Sequence, residues 1–166
     1  MEYLALSTQS KIILDHADLS RKIEQVGRPL VFTNGCFDIM HRGHVDYLEQ
    51  AASLGNSLLV ALNTDASVKK LNKGDDRPVN TLEDRMAVIA ALECVSLVTW
   101  FDEETPYNVI KLARPDHLVK GGDWPVDKIV GADLVQSTGG QVHSIAFSFD
   151  RSTTSLLEKI RSHDDS

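Results

Sequence analysis

Short apolar runs rich in β-branched residues recur at Leu30–Thr33, Ser57–Leu62, Val95–Phe101, His117–Val119 and Gln141–Ala146. Each is too short for a typical buried helix and reads as a strand. Between them lie helix-length segments with apolar residues three or four apart, as in Val45, Leu48, Ala51 and Ala52, or Leu82, Met86, Ile89 and Ala90. Strands alternating with helices at this spacing predict a doubly wound, Rossmann-like α/β fold: a parallel five-stranded sheet with helices on both faces. In such sheets ligands bind beyond the carboxyl ends of the strands, where neighbouring connections diverge. The loops after Thr33, Leu62 and Val119 are therefore the places to search.

Local signals sharpen the boundaries. Thr81 precedes Asp84 by three residues, a relative of the capping box, so a helix is expected to begin near Leu82. Pro106 suits the first turn of the next helix, and Arg114-Pro115 ends it before the strand at His117. Gly139-Gly140 punctuates the last helix-to-strand turn, and Ala17–Val26 reads as an N-terminal helix. The expected organisation is one domain over residues 1–166, with a helical cap over 1–28 and a flexible tail over 163–166.

At 166 residues the chain fits one ordinary α/β domain, so that domain must contain the whole function. No apolar run approaches the roughly 20 residues needed to span a bilayer, and the N-terminus lacks the pattern of a secretory signal. A cytoplasmic protein that inserts in no membrane is expected. Cys36 and Cys94 fall in different predicted elements, which supports neither a disulfide framework nor a cysteine zinc site. The net charge of −7 argues against a general nucleic-acid binder. Basic residues do gather at Lys69, Lys70, Lys73 and Arg77, either as a solvated loop or as a local site for a small anion.

The first strand runs directly into Asn34-Gly35-Cys36-Phe37-Asp38-Ile39-Met40-His41-Arg42-Gly43-His44, and a helix follows at once. Gly35 permits an unusual backbone angle at the strand exit, and Gly43 leaves room beside the helix start for a bulky anion. Unsatisfied N–H groups and the helix dipole favour phosphate there. His41 and His44 can both turn toward one anion and donate hydrogen bonds as its charge grows. Two other readings stand beside this one: ordinary capping or surface histidines, and a zinc site made of Asp38, His41 and His44.

The stretch from Gly35 to His44 resembles the G-x-F-D-x-x-H-x-G-H signature of the cytidylyltransferase-like nucleotidyltransferases. Ser152-Thr153-Thr154 is similar to the S-T-T that precedes their last helix, and Asn63-Thr64-Asp65 after the second strand is a third point of likeness. Within that superfamily, Phe32–Asp38, Asp76–Asn80 and Leu118–Trp124 look most like the heptose 1-phosphate adenylyltransferases of lipopolysaccharide precursor synthesis. The likeness covers roughly residues 10–162. Many such relatives carry a sugar kinase ahead of this domain, so the resemblance implies a separate kinase here.

The resemblance implies transfer of AMP from ATP to a sugar 1-phosphate, with Mg²⁺ accompanying the triphosphate and no resident metal. It implies catalytic roles for His41, His44 and Lys73, and nucleotide contacts at Asn34, Gly35, Cys36, Phe37, Gly43, Lys120, Gly121, Ser152, Thr153 and Thr154. Substrate contacts are expected at Asp38, Asp65, Arg77 and Asp123, and a homo-oligomer of two or more copies. Arg151, directly before the S-T-T motif, departs from the family pattern. The rivals are a glycerol-3-phosphate cytidylyltransferase using CTP and, from another class, a nucleotide-sensing module without turnover. A dinucleotide oxidoreductase is disfavoured because no G-x-G-x-x-G follows the first strand.

Overall fold

The computed structural model describes residues 5–71, 76–149 and 152–164. Among them the α-helices and strands follow in chain order: α1 (Ala5–Lys11), α2 (His16–Ile23), β1 (Leu30–Gly35), α3 (Arg42–Ala52), β2 (Ser57–Asn63), α4 (Asp65–Lys70), α5 (Leu82–Ala90), β3 (Leu97–Phe101), α6 (Tyr107–Ala113), β4 (His117–Gly121), α7 (Ala132–Ser137), β5 (Gln141–Ile145) and α8 (Thr153–Asp164). The strands form one parallel sheet in the order β3-β2-β1-β4-β5. The chain winds outward from β1 to β3, then crosses back to place β4 on the other side of β1. The switch point therefore lies between β1 and β4.

Alternation of side chains along the strands builds a core on each face. Leu30 and Phe32 of β1, with Leu59, Ala61, Leu97 and Leu118, face α2, α6 and α7 through Leu19, Ile23, Ile110, Ala113 and Val135. Val31, Leu58, Val60, Leu62, Val98 and Val119 face α3 and α5 through Leu48, Ala51, Met86 and Ile89. Burying each of these larger side chains contributes about 1.5–3 kcal/mol. Among the described residues no helix is long and apolar enough to cross a membrane.

Boundaries move where backbone pairing or a cap overrides local pattern. β1 extends through Asn34 and Gly35, which pair with Ala61 and Leu62 and so carry the strand into the loop of interest. Val95 stays outside β3, its N–H donating to the Leu92 carbonyl in a turn. α2 starts at His16 because the Asp15 side chain caps it, accepting from the Ala17 N–H at 2.8 Å. α5 begins at Leu82 as expected, with Thr81 Oγ1 accepting from the Asp84 N–H at 3.3 Å. α8 runs through Asp164, into the span expected as a flexible tail.

Candidate active site

A cavity of about 400 Å³ opens at the carboxyl end of the sheet. Its walls bring together Asn34, Gly35, Cys36 and Phe37 from the end of β1, His41 and His44 from the start of α3, and Lys120 and Gly121 from the end of β4. Ser152, Thr153 and Thr154 close it from the start of α8. These residues are thus assembled at the β1/β4 switch point.

His41 is the N-cap of α3 but makes no side-chain cap bond. Its ring stacks on that of His44, centroids 3.8 Å apart and planes 23° from parallel. Phe37 meets His44 edge-on at 5.4 Å. Nδ1 of His41 is buried with no hydrogen-bond partner among the described residues. Burial also pushes the His41 pKa below the ordinary histidine value, so the ring is neutral near pH 7.

Two glycine expectations change. Gly35 has no positive φ; the residue that does is Phe37, at 46°, a strained angle for an aromatic residue. What Gly35 supplies is space, since a Cβ there would sit 2.9 Å from the Phe37 ring. Gly43 likewise yields its room to the ring of His41, which a Cβ would approach to 3.1 Å.

Asp38 and Asp65, expected to contact substrate, both have protein partners. Asp38 is 4% exposed, and its carboxylate accepts from Arg77 Nε at 2.5 Å and from the backbone N–H groups of Val79 and Asn80 at 2.9–3.0 Å. Burial alone would raise its pKa, but those donors outweigh it and hold the carboxyl below the ordinary value. Asp38 lines the cavity with its carboxylate already engaged by Arg77 and two backbone donors. Among the described residues no group of three His, Cys, Asp or Glu side chains converges for a metal. Asp65 accepts from Arg85 Nη2 at 2.6 Å. Arg77 does line the cavity. Asp123 is exposed on the strand-exit loop and lines neither this cavity nor its neighbour. Lys73 and Arg151 lie outside the described residues.

Sequence reasoning passed over three residues. Arg85, 1% exposed, donates to the carbonyls of Cys36 and Asn80 and to Asp65, so one cation fixes the β1 loop, the approach to α5 and the start of α4. Its signal was an arginine within the apolar stripe Leu82, Met86, Ile89. Tyr47 sits on the inner face of α3 and spans the switch point. Its hydroxyl donates to the Val119 carbonyl at 3.3 Å and, with that proton committed, accepts from Thr33 Oγ1 at 2.6 Å. Phe147, 50% exposed, lies over Gly121 and packs on Tyr47 with centroids 5.6 Å apart.

A second cavity of about 260 Å³ adjoins the first, sharing Asn34, Gly35, Cys36 and Lys120, and continues to Asn63, Phe101, Glu104, Pro106 and Trp124.

An open parallel sheet with a polar cavity at its switch point defines an α/β ligand-binding domain. The family model described as cytidylyltransferase-like matches residues 32–164, and the chain belongs to that family. It is 55% identical over 151 residues to the D-beta-D-heptose 1-phosphate adenylyltransferase of Bordetella bronchiseptica, covering 90% of this chain and 93% of that protein. It is 50% identical to the bifunctional protein HldE of Hahella chejuensis, over 92% of this chain but only 31% of that one. Among solved structures, a lipopolysaccharide core biosynthesis protein from Thermoplasma volcanium superposes with a TM-score of 0.59 at 27% identity, covering 73% of this chain and 98% of that one. A pantoate-beta-alanine ligase from Francisella tularensis shares the fold, with a TM-score of 0.58 at 13% identity over 86% of this chain and 68% of its own.

Proposed function

We propose that this chain is a nucleotidyltransferase that passes AMP from ATP to D-glycero-β-D-manno-heptose 1-phosphate, giving ADP-heptose and pyrophosphate for lipopolysaccharide core synthesis. The observation that carries this reading is the stacked His41–His44 pair opening on one cavity with Ser152, Thr153 and Thr154. The 55% identity to an adenylyltransferase supports it over nearly the full length of both chains.

In this reading a phosphate oxygen of the acceptor attacks the α-phosphorus of ATP in line. The bond from that phosphorus to the bridging oxygen breaks, and its electron pair leaves with pyrophosphate. The attacking oxygen is already ionised near neutral pH, so the protein supplies position and charge stabilisation rather than a base. His41 and His44 donate to the triphosphate as charge shifts toward the leaving group. The hydroxyls of Ser152, Thr153 and Thr154 and the α8 N-terminus hold the terminal phosphates. Asn34, Gly35, Cys36, Phe37 and Gly121 line the nucleotide, Gly43 seats the His41 ring, and Lys73 and Arg77 clamp phosphate from the basic segment. Mg²⁺ enters as the counter-ion of the substrate triphosphate.

The reading extends to a cytoplasmic homo-oligomer, for which analytical ultracentrifugation is the check. Its central test is pyrophosphate release from ATP or CTP with a panel of phosphorylated acceptors. Turnover with ATP and heptose 1-phosphate is expected. A preference for CTP with glycerol 3-phosphate would move the assignment to the cytidylyltransferase reading, and ATP binding without product from every acceptor would mark a sensing module.

A further inference from the structure

We infer that Trp124 is the platform on which the acceptor's sugar ring lies in the second cavity, with Glu104 facing its hydroxyls; this rests on the reading of the reaction given above. Trp124 is 51% exposed, a costly display for an indole unless something covers it in use. Its backbone is nevertheless held in place. Ser144 of β5 accepts from the Trp124 N–H at 3.0 Å and donates to the Gly122 carbonyl at 2.6 Å, stapling the loop to the sheet. Gly122 takes φ +108°, and a Cβ there would lie 2.9 Å from the indole nitrogen and 3.2 Å from Cδ1, so that edge of the ring abuts this glycine. An exposed aromatic on a braced loop is a preformed surface rather than a packing residue.

The chemistry of the cavity separates a sugar from the nucleotide. The paired histidines and the hydroxyls of Ser152, Thr153 and Thr154 all line the larger cavity, which also has its own aromatic wall in Tyr47 and Phe147. The smaller cavity contains none of these groups, and its 260 Å³ suits a single ring better than a nucleoside. Glu104 in its lining accepts from sugar hydroxyls, while Lys120 and Lys128 beside it suit the acceptor's single phosphate. The flat indole matches the C–H face of a pyranose and offers little to a short open-chain polyol. Lys120 lines both cavities, where the acceptor phosphate and the α-phosphate must meet.

The test uses Trp124→Ala, Trp124→Phe and Glu104→Gln in the full chain, measuring KM for heptose 1-phosphate and for ATP separately, with thermal melts as folding controls. Trp124→Ala is expected to raise the acceptor KM about tenfold while leaving the ATP KM within about twofold, and Trp124→Phe to restore most of the loss. Glu104→Gln is expected to raise the acceptor KM alone. With a non-hydrolysable ATP analogue bound, heptose 1-phosphate is expected to change the tryptophan fluorescence of the wild type but not of Trp124→Phe, whose remaining Trp100 is tied to the Leu14 carbonyl. An unchanged acceptor KM in Trp124→Ala, or an equal rise for ATP, overturns the assignment of Trp124. A wild-type chain that turns over no sugar 1-phosphate overturns the proposed reaction instead.

Discussion

Arg77 donates from Nε to the Asp38 carboxylate at 2.5 Å, with both side chains almost fully buried, and this pair, with the Val79 and Asn80 N–H groups, ties residues 77–80 to the loop that leaves β1. A buried pair of this kind is felt most when one partner is removed.

Asp38→Asn leaves the Arg77 guanidinium uncompensated and is expected to cost about 3–5 kcal/mol in urea unfolding at pH 7. Because the folded-state pKa of Asp38 is lowered, its contribution is present above the unfolded carboxyl pKa and is lost as pH falls through the folded value. The gap between wild type and Asp38→Asn should therefore close in unfolding curves recorded on the acid side of pH 4.

Arg85 holds three acceptors from three segments. Lysine, a point charge without the planar fork, cannot reproduce that reach, so Arg85→Lys is expected to lower both melting temperature and kcat. Asp65→Asn removes only the half-exposed arm of the network and should cost about 1 kcal/mol or less. Equal effects from the two substitutions would show that the carbonyl contacts of Arg85 do not matter.

His44→Ala is expected to fold normally and to lose about a hundredfold or more in kcat, the usual consequence of removing one donor to developing charge. The measurement is single-turnover pyrophosphate release alongside circular dichroism. Near wild-type turnover would remove the histidine pair from the mechanism.

Two histidines set an acid limit on stability. Burial lowers the pKa of His41, and burial together with the neighbouring charge of His117, 3.0 Å away, lowers that of His143. The unfolded chain then takes up protons first, so stability is full above the ordinary histidine pKa and declines as pH drops below about 6.5. His143→Gln, which keeps a hydrogen-bonding group without the titration, is expected to flatten melting temperature against pH between 7 and 5.

The strands and the His41–His44 loop were legible because their signals are contiguous: β-branched runs for the sheet, and eleven consecutive residues for the turn. β1 ran longer than its apolar run because backbone pairing with β2 carries two further residues. The partners of Asp38 and Arg85 were not legible for another reason. They lie 39 and 49 residues away in sequence, and only the folded sheet brings the carbonyl of Cys36 to the α5 arginine. Gly43 read as room for a ligand, since nothing local says that the His41 ring already fills it.

The Tyr47 hydroxyl bridges the two strands that part company at the switch point, and burial raises its pKa to about 12, with the Thr33 hydrogen bond opposing only part of that rise. The phenol therefore keeps its proton near neutral pH, and it works as a spacer between β1 and β4. The bridge it makes between Thr33 and Val119 is therefore insensitive to acidity. A pH profile of turnover then does not report the ionisation of this phenol.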